Sequence, residues 1–150
     1  MERVLPLPTR RATKQLARAL RRVLSPGDLV VLAGPLGAGK TFLVRALCRE
    51  LGLGAGTRVT SPTFTLVHEY PTTPPVAHAD LYRLRTAEDV EDLGLLERRD
   101  QGWALLVEWG EPFVDVLGGD ALVIELGLSP REARLRSTGP TAETRLRSLE

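Results

Sequence analysis

The sequence predicts a single-domain α/β fold with a central, mainly parallel (mixed) sheet flanked by helices, and three observations predict it. Residues 29–33 and 104–107 are unbroken apolar runs of strand length, the pattern of strands covered on both faces, and residues 121–126 form a third apolar strand. Stretches with helical apolar spacing lie before, between and after them, so strands and helices are interspersed. The segment Gly34-Pro35-Leu36-Gly37-Ala38-Gly39-Lys40-Thr41 leads from the first apolar run straight into a helical pattern, giving strand, loop and helix in succession. At 150 residues, without repeats or a long linker, the chain has the size of one domain and can bury a core without staples.

Each element has its own local reason. Residues 9–24 form an amphipathic helix, with Ala12, Leu16, Ala19, Leu20 and Val23 on one stripe and Thr9 as N-cap after Pro8. The opposite face carries Arg11, Lys14, Arg18, Arg21 and Arg22, a basic stripe that suits RNA, an acidic partner or simply solvent. Ser25-Pro26-Gly27-Asp28 is turn chemistry feeding the first core strand. The helix over residues 42–51 sets Leu43, Leu47 and Leu51 on one face, with Val44 and Cys48 beside them, and ends at Gly52 and Gly54. Cys48 is the single cysteine, so no intramolecular disulfide forms; inside this helix it reads as a small buried apolar residue. The second half of residues 59–70 alternates as a strand does, residues 71–75 are a proline-rich loop, and residues 76–81 form a short strand carrying Asp80 at its end. The hairpin-like stretch 63–82 thus interrupts the simple alternation of strand and helix. Thr86 opens a helix with Glu88 and Asp89 in its first turn, Gly94 interrupts it, and residues 95–99 form a further turn. Residues 104–107 run directly into Glu108-Trp109, residues 121–126 are the third apolar strand, residues 132–137 alternate, and the tail from Thr141 is a short helix.

Bulk properties exclude several roles. A net charge of +1 offers no global field for nucleic acid or an anionic membrane. No basic-then-apolar leader opens the sequence and no apolar run nears the ~20 residues that span a bilayer, so a cytoplasmic protein with no membrane partner is expected.

The chemistry is concentrated in the glycine loop, whose spacing is G-x-x-x-x-G-K-[ST] between a strand and a helix. Glycines let successive backbone N–H groups turn inward as an anion nest, and the helix adds its positive end to the same point. Pro35, Leu36, Gly37, Ala38 and Gly39 supply that backbone, Lys40 meets the β- and γ-phosphates, and the Thr41 hydroxyl meets Mg²⁺. An ordinary glycine-rich turn is the bland alternative; the strand before and the helix after favour a P-loop NTPase-like fold. Hydrolysis further needs a magnesium-holding carboxylate and a group to orient the attacking water. Glu108 closes a buried strand at the edge where α/β sheets bind ligands, and Asp80 ends a weaker one; either suits Mg²⁺ or water, and either could instead cap a loop or pair with arginine. Thr60 and Ser61 precede a strand on a loop of the kind that senses a γ-phosphate, or form a turn at Ser61-Pro62. Trp109 is a core aromatic or a contact for base or partner. Arg134 reaches toward nucleotide or lies at the surface. His78, with no second histidine or cysteine at ligand spacing, reads as structural.

Four motifs in order resemble the TsaE (YjeE) family of bacterial ATPases: GPLGAGKT from Gly34, TSPTFTLVHEY from Thr60, HADLYRL from His78 and VEWGE from Val107. Residues 91–94 and the opening helix with Thr13 also fit. The resemblance implies a small P-loop domain with a mixed sheet that binds ATP and Mg²⁺ and hydrolyses ATP slowly alone. It implies work with TsaD and TsaB, which place threonylcarbamoyl on an adenosine of tRNA, the ATPase resetting them and touching tRNA indirectly. It carries Lys40 and Thr41 over as phosphate and metal ligands, and Thr60, Asp80, Glu108 and Trp109 as functional positions. Thr13 and Arg134 match places where nucleotide is approached from the flanks. The chain departs from the family at Phe42 (usually a second threonine), Gly110 (usually proline) and Ala79 (usually phenylalanine). Two other functions share the loop: a small-molecule kinase, with Arg98 and Arg99 as a lid, and a nucleotide-gated binding module without significant hydrolysis.

Overall fold

The structure is a computed structural model that describes residues 1–149. Among them, one sheet of seven strands runs in the order β1-β7-β6-β2-β5-β4-β3. The strands are β1 (Glu2–Pro6), β2 (Leu29–Ala33), β3 (Val67–Tyr70), β4 (Val76–Asp80), β5 (Ala104–Glu108), β6 (Ala121–Leu128) and β7 (Arg131–Ser137). The helices are α1 (Arg10–Val23), α2 (Lys40–Glu50), α3 (Ala87–Glu91), α4 (Leu95–Asp100) and α5 (Pro140–Ser148).

The apolar runs form the parallel centre. β2 lies between β6 and β5, and β5 pairs with β4, all parallel, while β3, β7 and β1 add antiparallel edges. Every residue of β2, β4 and β5 is buried, the polar His78, Asp80 and Glu108 included. Alternation along β2 splits the core in two. Val30 and Leu32 face α1, α2 and α5 through Leu20, Leu47 and Leu146. Leu29 and Val31 face α3, α4 and the segment after β5 through Val90, Leu95, Phe113 and Leu117.

Local signals set most boundaries. Thr9 Oγ1 accepts from Ala12 N at 3.1 Å and starts α1 where an N-cap was expected. Residues 95–99 are more than a turn: they are the body of α4, entered through left-handed Gly94 at φ 71°. β6 continues past residue 126 to Leu128, because it folds back on β7. β1 carries no sequence signal of its own. It is short, half-exposed and ends in proline, and it exists because β7 offers an open edge. Cys48 is fully buried, and burial pushes its thiol up to about 12, so at neutral pH it is an inert apolar filler.

Candidate functional site

β2, β4 and β5 end side by side, and their C-terminal edge is where the functional side chains collect. Asp80 and Glu108 are register partners on neighbouring parallel strands, so both carboxylates leave the sheet at one level. From β2 the chain turns through Gly34 (φ 130°), Gly37 (φ 80°) and Gly39 (φ 104°) into α2. A Cβ on Gly37 or Gly39 would meet nothing within 4 Å, so these two are set by backbone conformation and leave an open concave face. Gly34 differs: a Cβ there would lie 2.3 Å from the Leu126 carbonyl oxygen.

Lys40 and Thr41 open α2 and point back at this edge. The Thr41 hydroxyl lies 3.2 and 3.1 Å from the two carboxylate oxygens of Glu108. Lys40 Nζ donates to the Gly34 and Pro35 carbonyls at 2.5 and 3.0 Å and sits 4.3 Å from the Trp109 ring centre. Burial lowers the Lys40 pKa, and the charges of Glu108, Glu111 and Asp80 oppose that shift. Asp80 Oδ2 accepts from Ser61 Oγ at 2.7 Å, and its Oδ1 from the Tyr82 backbone N–H at 2.9 Å. Trp109 holds a left-handed backbone (φ 60°), a costly state for a bulky residue, with its ring centre 4.9 Å from that of Tyr82. The next residue, Gly110, packs so closely that a Cβ would come within 2.8 Å of Val107 Cγ1.

Two cavities meet at the glycine loop. One, of about 480 Å³, is lined by Lys40, Thr41, Ser61, Asp80, Glu108 and Trp109 among others. The other, of about 290 Å³, lies on the far side of Gly37 and Gly39 and includes Thr13, Phe42, Leu126 and Arg131. The predicted residues therefore divide. Gly37, Gly39, Lys40, Thr41, Asp80, Glu108 and Trp109 converge, with Leu36 at the rim and Thr13 across the loop. Ala38 lines the second cavity, and exposed Pro35 contributes its carbonyl to Lys40. Thr60 is exposed and lines neither cavity; its neighbour Ser61 makes the contact with Asp80. Arg134 also stands outside, bridged to Glu2 at 2.8 Å and near Glu132 at 3.9 Å, while Arg131 and Glu132 reach the second cavity. Arg98 and Arg99 are not a lid. Arg98 pairs with Glu69 at 2.8 Å, and Arg99 donates to the carbonyls of Gly27, Leu117, Gly119 and Asp120.

Spacing missed what His78 does. It is fully buried on β4, and its Nε2 lies 2.6 Å from Glu108 Oε2. A carboxylate can only accept, so Nε2 carries the proton and donates, and Nδ1 is left with no partner. The period of two along β4 puts His78 and Asp80 on one side of the strand, which was the available signal.

The donor set is hydroxyl and carboxylate oxygen, the kind that would suit a small hard cation if one displaced the Thr41–Glu108 hydrogen bond. Among the described residues no group of three or more His, Cys, Asp or Glu side chains is placed to hold a metal ion by itself, and no helix is long and apolar enough to cross a membrane.

Comparison with known proteins places these features in a wider set. The family model described as "Threonylcarbamoyl adenosine biosynthesis protein TsaE" matches residues 7–136. A tRNA threonylcarbamoyladenosine biosynthesis protein TsaE from Rickettsia felis is 37% identical over 135 residues, covering 89% of this chain and 78% of the relative. The protein of the same name from Streptomyces coelicolor is 40% identical over 134 residues, covering 87% and 83%. The crystal structure of YdiB from Bacillus subtilis superposes with a TM-score of 0.79 at 26% identity, covering 98% of this chain and 93% of that one.

Proposed function

The chain belongs to the TsaE family of threonylcarbamoyl adenosine biosynthesis proteins, and on that premise we propose that it is a Mg²⁺-dependent ATPase that serves tRNA modification by acting on TsaD and TsaB. The observation that carries the ATPase reading is the Thr41 hydroxyl held against both oxygens of Glu108 at the start of the helix that follows a glycine loop.

In this reading the backbone N–H groups of residues 36–41 receive the phosphates, and the α2 N-terminus adds its dipole. Lys40 leaves the Gly34 and Pro35 carbonyls for the β- and γ-phosphate oxygens, a move of its flexible stem alone. Thr41 and Glu108 would hold a magnesium ion, which when bound would neutralise charge developing on the phosphate oxygens. Asp80, steadied by Ser61 and the Tyr82 backbone, faces the same cavity and orients the attacking water. The cavity beyond the loop, with Thr13, accommodates the nucleoside end. The strained Trp109 presents its ring face to the Lys40 ammonium, 4.3 Å from the ring centre.

The test is reconstitution with TsaB, TsaD and a source of threonylcarbamoyl-adenylate. Multiple-turnover modification of tRNA is expected with this protein and ATP, and a stall near one turnover without either. Equal turnover in its absence would sink the proposal.

His78 is a positioning residue in this scheme, because it orients the carboxylate that meets the metal. Partners of a metal ligand typically govern about 10- to 100-fold in metal affinity. His78→Leu is therefore expected to raise the Mg²⁺ concentration that half-saturates nucleotide binding by about tenfold, with metal-free ATP binding unchanged. His78→Gln, whose amide can donate to Glu108, should recover most of the loss. Equal Mg²⁺ midpoints in the wild type and His78→Leu would show that the contact is packing alone.

A further inference from the structure

Helices α1 and α2 pack against each other, and their outward faces line a groove of about 460 Å³ that shares only Arg10 and Phe42 with the cavities at the glycine loop. Arg10, Lys14 and Arg18 fall four residues apart, so they form one row along α1, roughly 12 Å long at the helical rise. Arg45 and Arg49 form a second row on α2, with Phe42 at its head. The one carboxylate lining the groove is Glu50, 3.8 Å from Arg18. Among the described residues Arg10, Lys14 and Arg45 have no carboxylate within ion-pair distance; Arg10 and Arg45 lie instead 5.5 and 5.1 Å from the Phe42 ring centre. The whole chain carries a net charge of only +1, so positive charge is gathered on this face and balanced elsewhere.

Five cations line one concavity; Arg49 is held by the Gly54 and Thr57 carbonyls and Arg18 lies near Glu50, which leaves Arg10, Lys14 and Arg45 as like charges with no further carboxylate among the lining residues to offset them. An external anion does so. The chemistry of the lining chooses the kind. A protein interface is depleted of charge at its centre and built on apolar and aromatic anchors, whereas here Ala46 and Phe42 are the only apolar members. Interfaces with nucleic acid are more polar and much more positive. Guanidinium forks match phosphate oxygens two at a time, and an aromatic ring among them adds a face for stacking.

We propose that the α1–α2 groove binds the sugar–phosphate backbone of RNA directly, as a short run of phosphates between the two basic rows. That the strand is RNA rests on the tRNA-modification reading above; that it is a polyanion rests on the groove itself. The contact departs from the indirect role expected from the sequence. Phe42 lines both this groove and the nucleotide cavity, so a strand and a nucleotide would border the same side chain. Any effect of one on the affinity of the other must then be reciprocal.

The experiment is fluorescence anisotropy of a labelled tRNA transcript with the full chain, across about 50 to about 200 mM salt. Binding should weaken steeply with salt. Lys14→Ala with Arg45→Ala, both at exposed positions, should cost at least about tenfold in affinity and flatten the log–log salt slope by about 1.5, two phosphate contacts' worth. Arg136→Ala, an exposed cation of the distant β7, should leave affinity unchanged. No binding by the wild type at the lowest salt, or the same affinity and slope in the double variant, overturns the proposal. Poly-glutamate bound as tightly as tRNA, and lost in the same variant, overturns it in favour of an acidic protein segment. The reconstitution above reads separately: absent RNA binding with modification still dependent on the protein removes the groove alone, and modification independent of the protein removes the functional reading alone.

Discussion

Lys40→Ala should abolish measurable ATP binding and lower turnover by at least about 100-fold, while the fold survives. Lys40 is 6% exposed, and its ammonium is satisfied by two carbonyls of the loop it would serve, a resting position from which it would reach phosphate. Burial holds its pKa below the ordinary lysine value, so the unfolded chain binds that proton more tightly than the folded one. The sign follows: Lys40 penalises folding at neutral pH, and its contribution improves as pH rises through the interval between the folded and ordinary values. Removing it should therefore leave the melting temperature equal or higher at pH 7. Calorimetric ATP titration and a thermal melt check both halves. Turnover within a few-fold of wild type, in a folded variant, would refute the role assigned to Lys40.

Gly34→Ala should cost at least about 3 kcal/mol of stability, a fall of about 6 to 12 °C in melting temperature for a chain of this size. Two effects add. Its φ of 130° is one that side chains avoid, and the new Cβ would stand 2.3 Å from the Leu126 carbonyl oxygen, a backbone atom of β6 that cannot swing away. Relief requires parting β2 from β6 beside their Ala33–Glu125 pairing, at the root of the glycine loop. Gly52→Ala separates the two contributions, since Gly52 has φ 103° and open space around it. It should lose only about 1 kcal/mol. A Gly34→Ala melt no lower than that of Gly52→Ala would show that the close approach is not a constraint.

Much of the site was legible because its signals are local. The spacing from Gly34 to Thr41 is contiguous chain, and a carboxylate straight after a buried strand emerges at the ligand edge wherever the strand is placed, as Asp80 and Glu108 do. Thr60 shows the limit. A one-residue difference along the loop decides which hydroxyl meets Asp80, and the loop's path assigns the contact to Ser61. Arg134 fails for another reason: on β7 it faces β1, a strand with no sequence signal, whose Glu2 captures it. His78 was passed over because its partner comes from a different strand, and no spacing along one strand reveals that.

By itself, then, the sequence determined whatever depends on neighbours in the chain: which segments are buried strands, where α1 is capped, and that a glycine loop sets Lys40 and Thr41 at the start of a helix. Tertiary structure decided whatever depends on register between distant strands. It set Glu108 against Thr41, 67 residues away, closed His78 onto the same carboxylate, and turned two separate basic helical faces into one groove. The physical reason is that side-chain patterns specify burial one element at a time, whereas charge and hydrogen-bond chemistry is decided between elements, where a shift of one residue in pairing exchanges every partner.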